Sequence, residues 1–492
     1  MTDITMNDLM GLMPYAPILI IVITVILTMI AITIKRSHFI TGTITVIGLN
    51  LALFTLLGQM TGMVSSGTLM PLAEQLFVID NFAQFNMVVI LICALACCTL
   101  SYAYLANLQD NREELYLLIL ISTVGALLMV CAQHMAAFFI SLELLSVPLY
   151  GLLAYTFSRN QSLESGLKYL VLSATASATL LMGMAFIYAQ VGALGFKQIS
   201  VVLVNAYDSP LVILGAAMMM FGIAFKLSAA PFHMWTPDVY EGGPAPIATY
   251  LASVSKVAMM ALAVRFLLDT ALLALPSVQM LLMVMATLSI LIGNMLALRQ
   301  SNLKRLLGYS SIAHMGYVLI VVVSIGAAAD SVSSMYMAVY AFTSIGAFGV
   351  VTLMSSPYRL SGEADKLVYY QGLFWRRPVL TAVMTIMMLS LAGIPLTAGF
   401  ITKLFAILAA VQGAQWFLAA LIILGSAIGL FYYLRVMLTL FKRPKAYVEF
   451  DVVGHWGVRM GGLMVIAVTV LIIGFGILPN NMIEWAALAR IW

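Results

Sequence analysis

The chain has 492 residues, 63% of them hydrophobic and only 9% charged, with a mean hydropathy of +1.07. That composition excludes a water-soluble globular fold and makes lipid the main solvent. The formal net charge of +4 comes without a basic run interleaved with aromatics, which removes nucleic acid from the list of partners.

Apolar runs long enough to cross a hydrocarbon core of about 30 Å recur about fourteen times. They lie near residues 14–34, 39–59, 82–106, 114–132, 134–157, 165–191, 210–235, 246–268, 277–298, 304–328, 332–354, 379–411, 414–440 and 460–480. The expected fold is therefore all-α and integral to the membrane, a single polytopic domain over 1–492, because no connection is long enough to hide a soluble one. The first run has span length and no Ala-x-Ala-like site behind it, so it reads as a retained helix. Cys93, Cys97, Cys98 and Cys131 follow in apolar runs without paired metal spacing and read as packing residues.

The fifth run carries Glu143 in "FFISLELLSVPLYG". A charge inside a span costs roughly 2.5–3.5 kcal/mol on insertion scales, so Glu143 is either a helix-locking acid or a proton-relay carboxylate. Glu164 and Lys168, four residues apart at the start of the sixth run, favour a local ion pair at the cytoplasmic mouth, with proton uptake as a secondary reading. The seventh run contains Lys226 and a proline in "FKLSAAPFHMW", followed by His233; the eighth holds Lys256 near its middle, and the tenth holds His314. Both histidines could relay protons, since imidazole titrates near neutrality, or serve as satisfied packing groups. His38, His134 and His455 lie near span ends and read as interfacial.

The twelfth run, 379–411, is 33 residues long, roughly 50 Å as one helix at about 1.5 Å per residue. Its "LAGIPLTAGFITKLF" holds a Gly-Ile-Pro break and then Lys403. Proline removes a backbone donor and crowds the preceding turn, so runs seven and twelve should each be two half-helices around an unwound joint. Blocks of helices 4–8 (114–268) and 9–13 (277–440) would put each broken helix fourth in its block. With five spans per block, the two repeats would be inverted, and paired breaks of this kind point to a transporter site near the midplane.

Alternating the faces of the spans sends sixteen Lys and Arg side chains to one side, Arg359 and Lys445 among them, and only Lys197, Arg265 and Arg490 to the other. The rich side reads as cytoplasmic, and an even number of spans then puts both termini on the non-cytoplasmic side. Lys226, Lys256 and Lys403 remain buried with Glu143. One acid cannot neutralise three ammonium groups, and burial disfavours the charged form of lysine, so these lysines should exchange protons readily, as arginine does not. The chain shows no Gly-x-Gly-x-x-Gly dinucleotide loop, no Walker loop and no cysteine quartet, so no cofactor or metal is expected in it.

"FKLSAAPFHMWTPDVYEGGPAPIATYLASVSK", "NLKRLLGYSSIAHMGY" and "LAGIPLTAGFITK" resemble the signature stretches of the antiporter-like membrane subunits of respiratory complex I, the bacterial proton-pumping NADH:quinone oxidoreductase. The similarity runs through nearly the whole chain. The resemblance implies that Glu143 pairs with Lys226, that Lys256 lies midway along a hydrated polar axis, and that Lys403, where the M-type sibling has glutamate, leads toward the exit. It also implies M and K subunits as neighbours in the bacterial inner membrane, with FMN, iron-sulfur clusters and quinone held by partner subunits. The alternative is a subunit of a multisubunit cation/proton antiporter, which shares the helix core; a static anchor whose lysines only lock helices is the bland reading.

Overall fold

The computed structural model describes residues 12–63, 75–106, 112–157, 159–203, 209–356, 362–443 and 449–491. Arg359 and Lys445, assigned above to the positive face, lie outside the described residues, as do parts of the loops near 60–80, 192–209 and 356–378.

Among the described residues thirteen helices are long and apolar enough to cross a membrane, and two shorter ones, Pro378–Ala392 and Ala398–Gln412, together make a fourteenth span. In chain order they are α1 (Ala16–Ile34), α2 (His38–Met60), α3 (Asn81–Leu105), α4 (Glu114–Cys131), α5 (Met135–Leu153), α6 (Asn160–Val191), α7a (Pro210–Leu227) with α7b (Trp235–Gly242), and α8 (Ala245–Asp269). They continue as α9 (Pro276–Ala297), α10 (Leu303–Ile325), α11 (Ala329–Ser355), α12a (Pro378–Ala392) with α12b (Ala398–Gln412), α13 (Trp416–Phe441) and α14 (Met460–Ile477). Both broken runs are divided where proline was expected to divide them. The seventh run continues further than its apolar stretch suggested, to Gly242, because Pro237 falls in the first turn of α7b, where no backbone donor is needed. Pro148, by contrast, lies inside α5 without ending it.

Helices α10 and α11 are buried along their length and α8 almost so, whereas α1, α6 and α14 turn much of their surface outward. Helices that are apolar on every side are core helices in a membrane bundle, and the polar residues of α8 and α10 therefore face protein. Close approach sets the geometry: a Cβ on Gly183 of α6 would stand 2.7 Å from the Gly215 carbonyl of α7a, and one on Gly215 would stand 2.8 Å from the Gly183 carbonyl. Small residues let backbones meet in this way where lipid supplies no hydrophobic drive between helices. The four cysteines are buried.

Ion pairs tie each end of the bundle to itself. At one end, Arg159, Lys304 and Glu363 come together, as do Glu164, Lys168, Asp238, Glu241 and Arg305. At the other, Arg265 of α8 grips Asp80, the N-cap of α3, through two hydrogen bonds of 2.8 and 2.7 Å. This partition agrees with the alternation of spans used to sort the basic residues.

Candidate functional site

Each joint begins in the same way. Helix α7a ends at Ser228 in the left-handed region (φ 61°), and the amide of Ala229 donates to the carbonyl of Ala224, five residues back, at 2.8 Å. Helix α12a ends at Gly393 (φ 79°), and Ile394 donates to Leu389, again five residues back, at 3.0 Å. This closure satisfies some of the last carbonyls of a helix and leaves others free. At both joints a lysine takes the free ones. Lys256 Nζ donates to the carbonyl of Lys226 at 3.1 Å and also to Ser228 Oγ. Lys403 Nζ donates to the carbonyls of Leu391 at 2.8 Å and Ala392 at 3.0 Å. Lys226 and Leu391 each stand two residues before the left-handed residue of their joint, so the two Nζ atoms occupy equivalent places. An aromatic ring lies under each, Trp235 at 5.3 Å from Lys256 and Tyr317 at 5.2 Å from Lys403. The negative end of a half-helix dipole favours a cation there.

Lys256 reaches its place from α8, directly after a π-helical turn over Leu251–Ser255. Such turns insert one residue into an α-helix and recur at functional positions. Trp235 is fixed in turn by donating its indole N–H to the Phe225 carbonyl at 2.9 Å, and Thr236 bonds Ser228 at 2.5 Å.

Lys226 is buried one step away. Its Nζ donates to Ser146 Oγ of α5 at 2.6 Å and Ser173 Oγ of α6 at 2.7 Å, with the Tyr169 ring at 5.6 Å. The direct pairing of Glu143 with Lys226 implied above is not formed: the two serines stand where the carboxylate was expected. Glu143, half-buried, is three residues before Ser146 on α5, within electrostatic reach of Lys226, and its buried Oε1 has no hydrogen-bond partner among the described residues. Glu143 thus acts on Lys226 through its charge rather than by contact, while Ser146 and Ser173 hold the ammonium.

His314, at mid-height in α10, lies within electrostatic reach of Lys403. Its Nδ1 meets Tyr336 OH at 2.8 Å and its Nε2 meets Tyr433 OH at 3.4 Å, while Tyr433 bonds Ser310 at 2.5 Å. Tyr317 accepts from Asn294, which in turn accepts from Tyr432 at 3.0 Å. This tyrosine-rich cluster was not anticipated; each tyrosine reads as an ordinary apolar residue in a hydropathy pattern. His233 is buried in the first joint with Nδ1 unpartnered, and among the described residues no hydrogen bond links it to the lysines. Tyr240, buried on α7b, and Ser311, buried one turn before His314 on α10, bring their hydroxyls within interaction range of each other.

Glu164 and Lys168 form the expected i,i+4 pair at 2.7 Å. They belong to something larger. Lys168 also holds Asp238 at 3.1 Å, and Arg305 bridges Asp238 at 2.6 Å and Glu241 at 2.9 Å. These groups line an open polar cavity of about 210 Å³. Asp238 and Glu241 sit on α7b, whose first residue, Trp235, lies under Lys256, so one eight-residue helix connects the mouth with the buried lysines. Among the described residues no cluster of His, Cys, Asp and Glu is arranged to hold a metal.

Residues 132–429 match the family described as NADH:quinone oxidoreductase/Mrp antiporter, TM. The chain is 82% identical over 492 residues, the full length of both, to a protein of Psychrobacter arcticus named NADH-quinone oxidoreductase subunit N. Its fold is similar to a chain of respiratory complex I from Thermus thermophilus, with a TM-score of 0.80 and 30% identity over 95% of this chain and 98% of that one. A chain of the Mrp complex from Dietzia superposes with a TM-score of 0.82 over 97% and 96%, at 19% identity, a likeness of fold alone.

Proposed function

The chain belongs to the NADH:quinone oxidoreductase/Mrp antiporter family, in its subunit N branch, and from that membership we propose how it carries protons as a multi-pass subunit of a bacterial inner-membrane respiratory complex. Protons gather at the Glu164–Lys168–Asp238 mouth and reach Lys226, whose affinity Glu143 sets through its charge. Lys256 takes them across the first joint, His314 and its tyrosines carry them on, and Lys403 releases them toward the far side. The observation that carries this reading is the seating of Lys256 on the Lys226 carbonyl, which joins two of the buried lysines through one joint, with its counterpart at Lys403.

In this reading 114–268 and 277–440 are inverted repeats, supported by the matched closures of α7a and α12a, whose C-terminal ends point to opposite faces. Lys403 then takes at the second joint the capping place that Lys256 takes at the first, although Lys256 comes from the fifth helix of its block and Lys403 from the fourth. The sequence pattern of one lysine per break concealed this, because Lys226 precedes its break and Lys403 follows its own. The rich positive face is cytoplasmic and both termini lie on the other side. M and K subunits flank the chain, and FMN, iron-sulfur clusters and quinone belong to partner subunits, whose redox chemistry drives the proton steps.

The test is Lys226→Ala in the intact complex. Ser146 still donates to the Leu142 carbonyl at 2.7 Å, and Ser173 still meets Tyr150 at 2.9 Å, so no buried hydroxyl is orphaned and assembly should persist. Proton pumping by proteoliposomes oxidising NADH should slow about tenfold or more, equivalent to ~1.4 kcal/mol on the barrier. Unchanged pumping by assembled complex would remove Lys226 from the path. At the mouth, Asp238→Asn should behave differently. Its pairs with Lys168 and Arg305 are partly exposed, each worth about 0–1 kcal/mol, so melting of the solubilised complex should barely move while pumping at alkaline pH, where protons are scarce, falls first. A flat pumping-versus-pH comparison with the parent would remove Asp238 from proton collection.

A further inference from the structure

A large cavity lies away from the lysine axis. It is a trough of about 620 Å³ between the ends of α2, α3, α4 and α14 on the positive face, within the 300–1,000 Å³ of small-molecule sites. Phe39, Val46 and Ile47 of α2 form one wall, and Thr99, Tyr102 and Ala103 of α3 the other. Its floor is rigid: His38 stacks on Tyr102 at 4.4 Å and meets Tyr116 OH at 2.8 Å.

The rim is cationic. Arg459 lines the trough from the N-cap of α14, is exposed, and has no carboxylate within ion-pair distance among the described residues. Arg112 donates to the carbonyl of Ala106, another lining residue, at 3.0 Å, which holds its guanidinium at the same rim. Among the described residues the nearby acids are engaged, Glu114 with Arg36 at 2.8 Å and Glu113 with the Arg112 amide at 3.1 Å. An apolar channel in the membrane, closed at its polar end by guanidinium groups and by a helix N-terminus without a side-chain cap, fits a molecule with an acyl chain and an anionic head. We propose that this trough is a binding site for an anionic phospholipid of the cytoplasmic leaflet, with its phosphate on Arg459 and Arg112 and one acyl chain between α2 and α3.

The probe is phosphatidylglycerol bearing a diazirine in one acyl chain, mixed into phosphatidylcholine liposomes that hold the intact complex. After irradiation, adducts should map to residues 39–47 and 98–106. Arg459→Gln and Arg112→Gln should each lower their yield about fivefold, the effect of one cation near an anionic surface. Thr43→Trp should fill the trough from the exposed face of α2 and remove the adducts while assembly stays intact. Equal labelling by the matching phosphatidylcholine probe would overturn the proposal, as would yields indifferent to both arginines. Absence of adducts together with cross-links from α2 to another subunit would overturn it too, by showing that protein covers this face.

Discussion

Glu363→Ala is expected to lower the amount of assembled complex more than any other single change, at a cost of about 3–5 kcal/mol, the usual penalty for removing one partner of a buried pair. Glu363 sits in the connection between α11 and α12a, almost wholly buried, and four groups converge on it. Lys304 Nζ stands 2.5 Å from Oε2, while Arg159 at 3.2 Å, Tyr104 OH at 2.5 Å and the Ala245 amide at 3.1 Å meet Oε1. Lys304 has no exposed surface, and its other partner is the Gly243 carbonyl at 2.6 Å. Without the carboxylate its charge is stranded. Glu363→Gln should cost less, because it still accepts from Tyr104 and Ala245, and adding Lys304→Met should recover part of the loss. Thermal melting of the solubilised complex checks the order; Glu363→Ala melting with the parent would show that the cluster holds nothing.

The same cluster predicts a pH dependence. Burial alone would raise the Glu363 carboxyl, but Lys304 and Arg159 hold it below its ordinary value of 4.5. The unfolded chain therefore binds the proton more readily, so stability rises with pH through this range. The contribution is complete above about pH 4.5 and is lost as pH falls through the native value. Glu363→Gln should flatten that acid limb.

Glu363 also marks where sequence reasoning stops. Spans were legible because hydropathy is local, and both joints were legible because each run holds a proline that interrupts the backbone ladder, the twelfth being 33 residues long as well. Glu143, Lys226, Lys256 and Lys403 stood out because a charge in lipid is costly wherever it folds. Glu363 lies in a polar connection, where an acid raises no question, and its partners are distant in the chain; Arg159 and Lys304 are two of the sixteen basic residues that by span alternation only mark the positive face. Asp238 and Glu241 were hidden similarly, in a half-helix that looked like a loop. Register was lost as well: spacing shows that Lys403 follows a break, but only the fold shows it reaching back to cap the preceding half-helix.

That reach gives Lys256 and Lys403 two duties, and Lys256→Arg separates them. Arginine keeps donors for the Lys226 carbonyl and Ser228 and can stack on Trp235, so the joint stays capped, at an overpacking cost of about 1–3 kcal/mol in a fully buried place. It cannot release its proton. Lys256→Met loses cap and proton together, and charge-assisted hydrogen bonds of this kind contribute about 1.5–3 kcal/mol. If Lys256 carries protons, both variants slow pumping about tenfold or more per assembled complex, and the arginine variant does so with its joint preserved. The measurement is NADH-driven acidification in proteoliposomes, normalised to assembled complex, with protease access to the α7b–α8 turn as the report on the joint. Parental pumping by Lys256→Arg beside failure of Lys256→Met would make this lysine a clamp and nothing more. The proton would then have to pass from Lys226 to His314 without it, through the facing hydroxyls of Tyr240 and Ser311, and Tyr240→Phe would become the variant that stops transport.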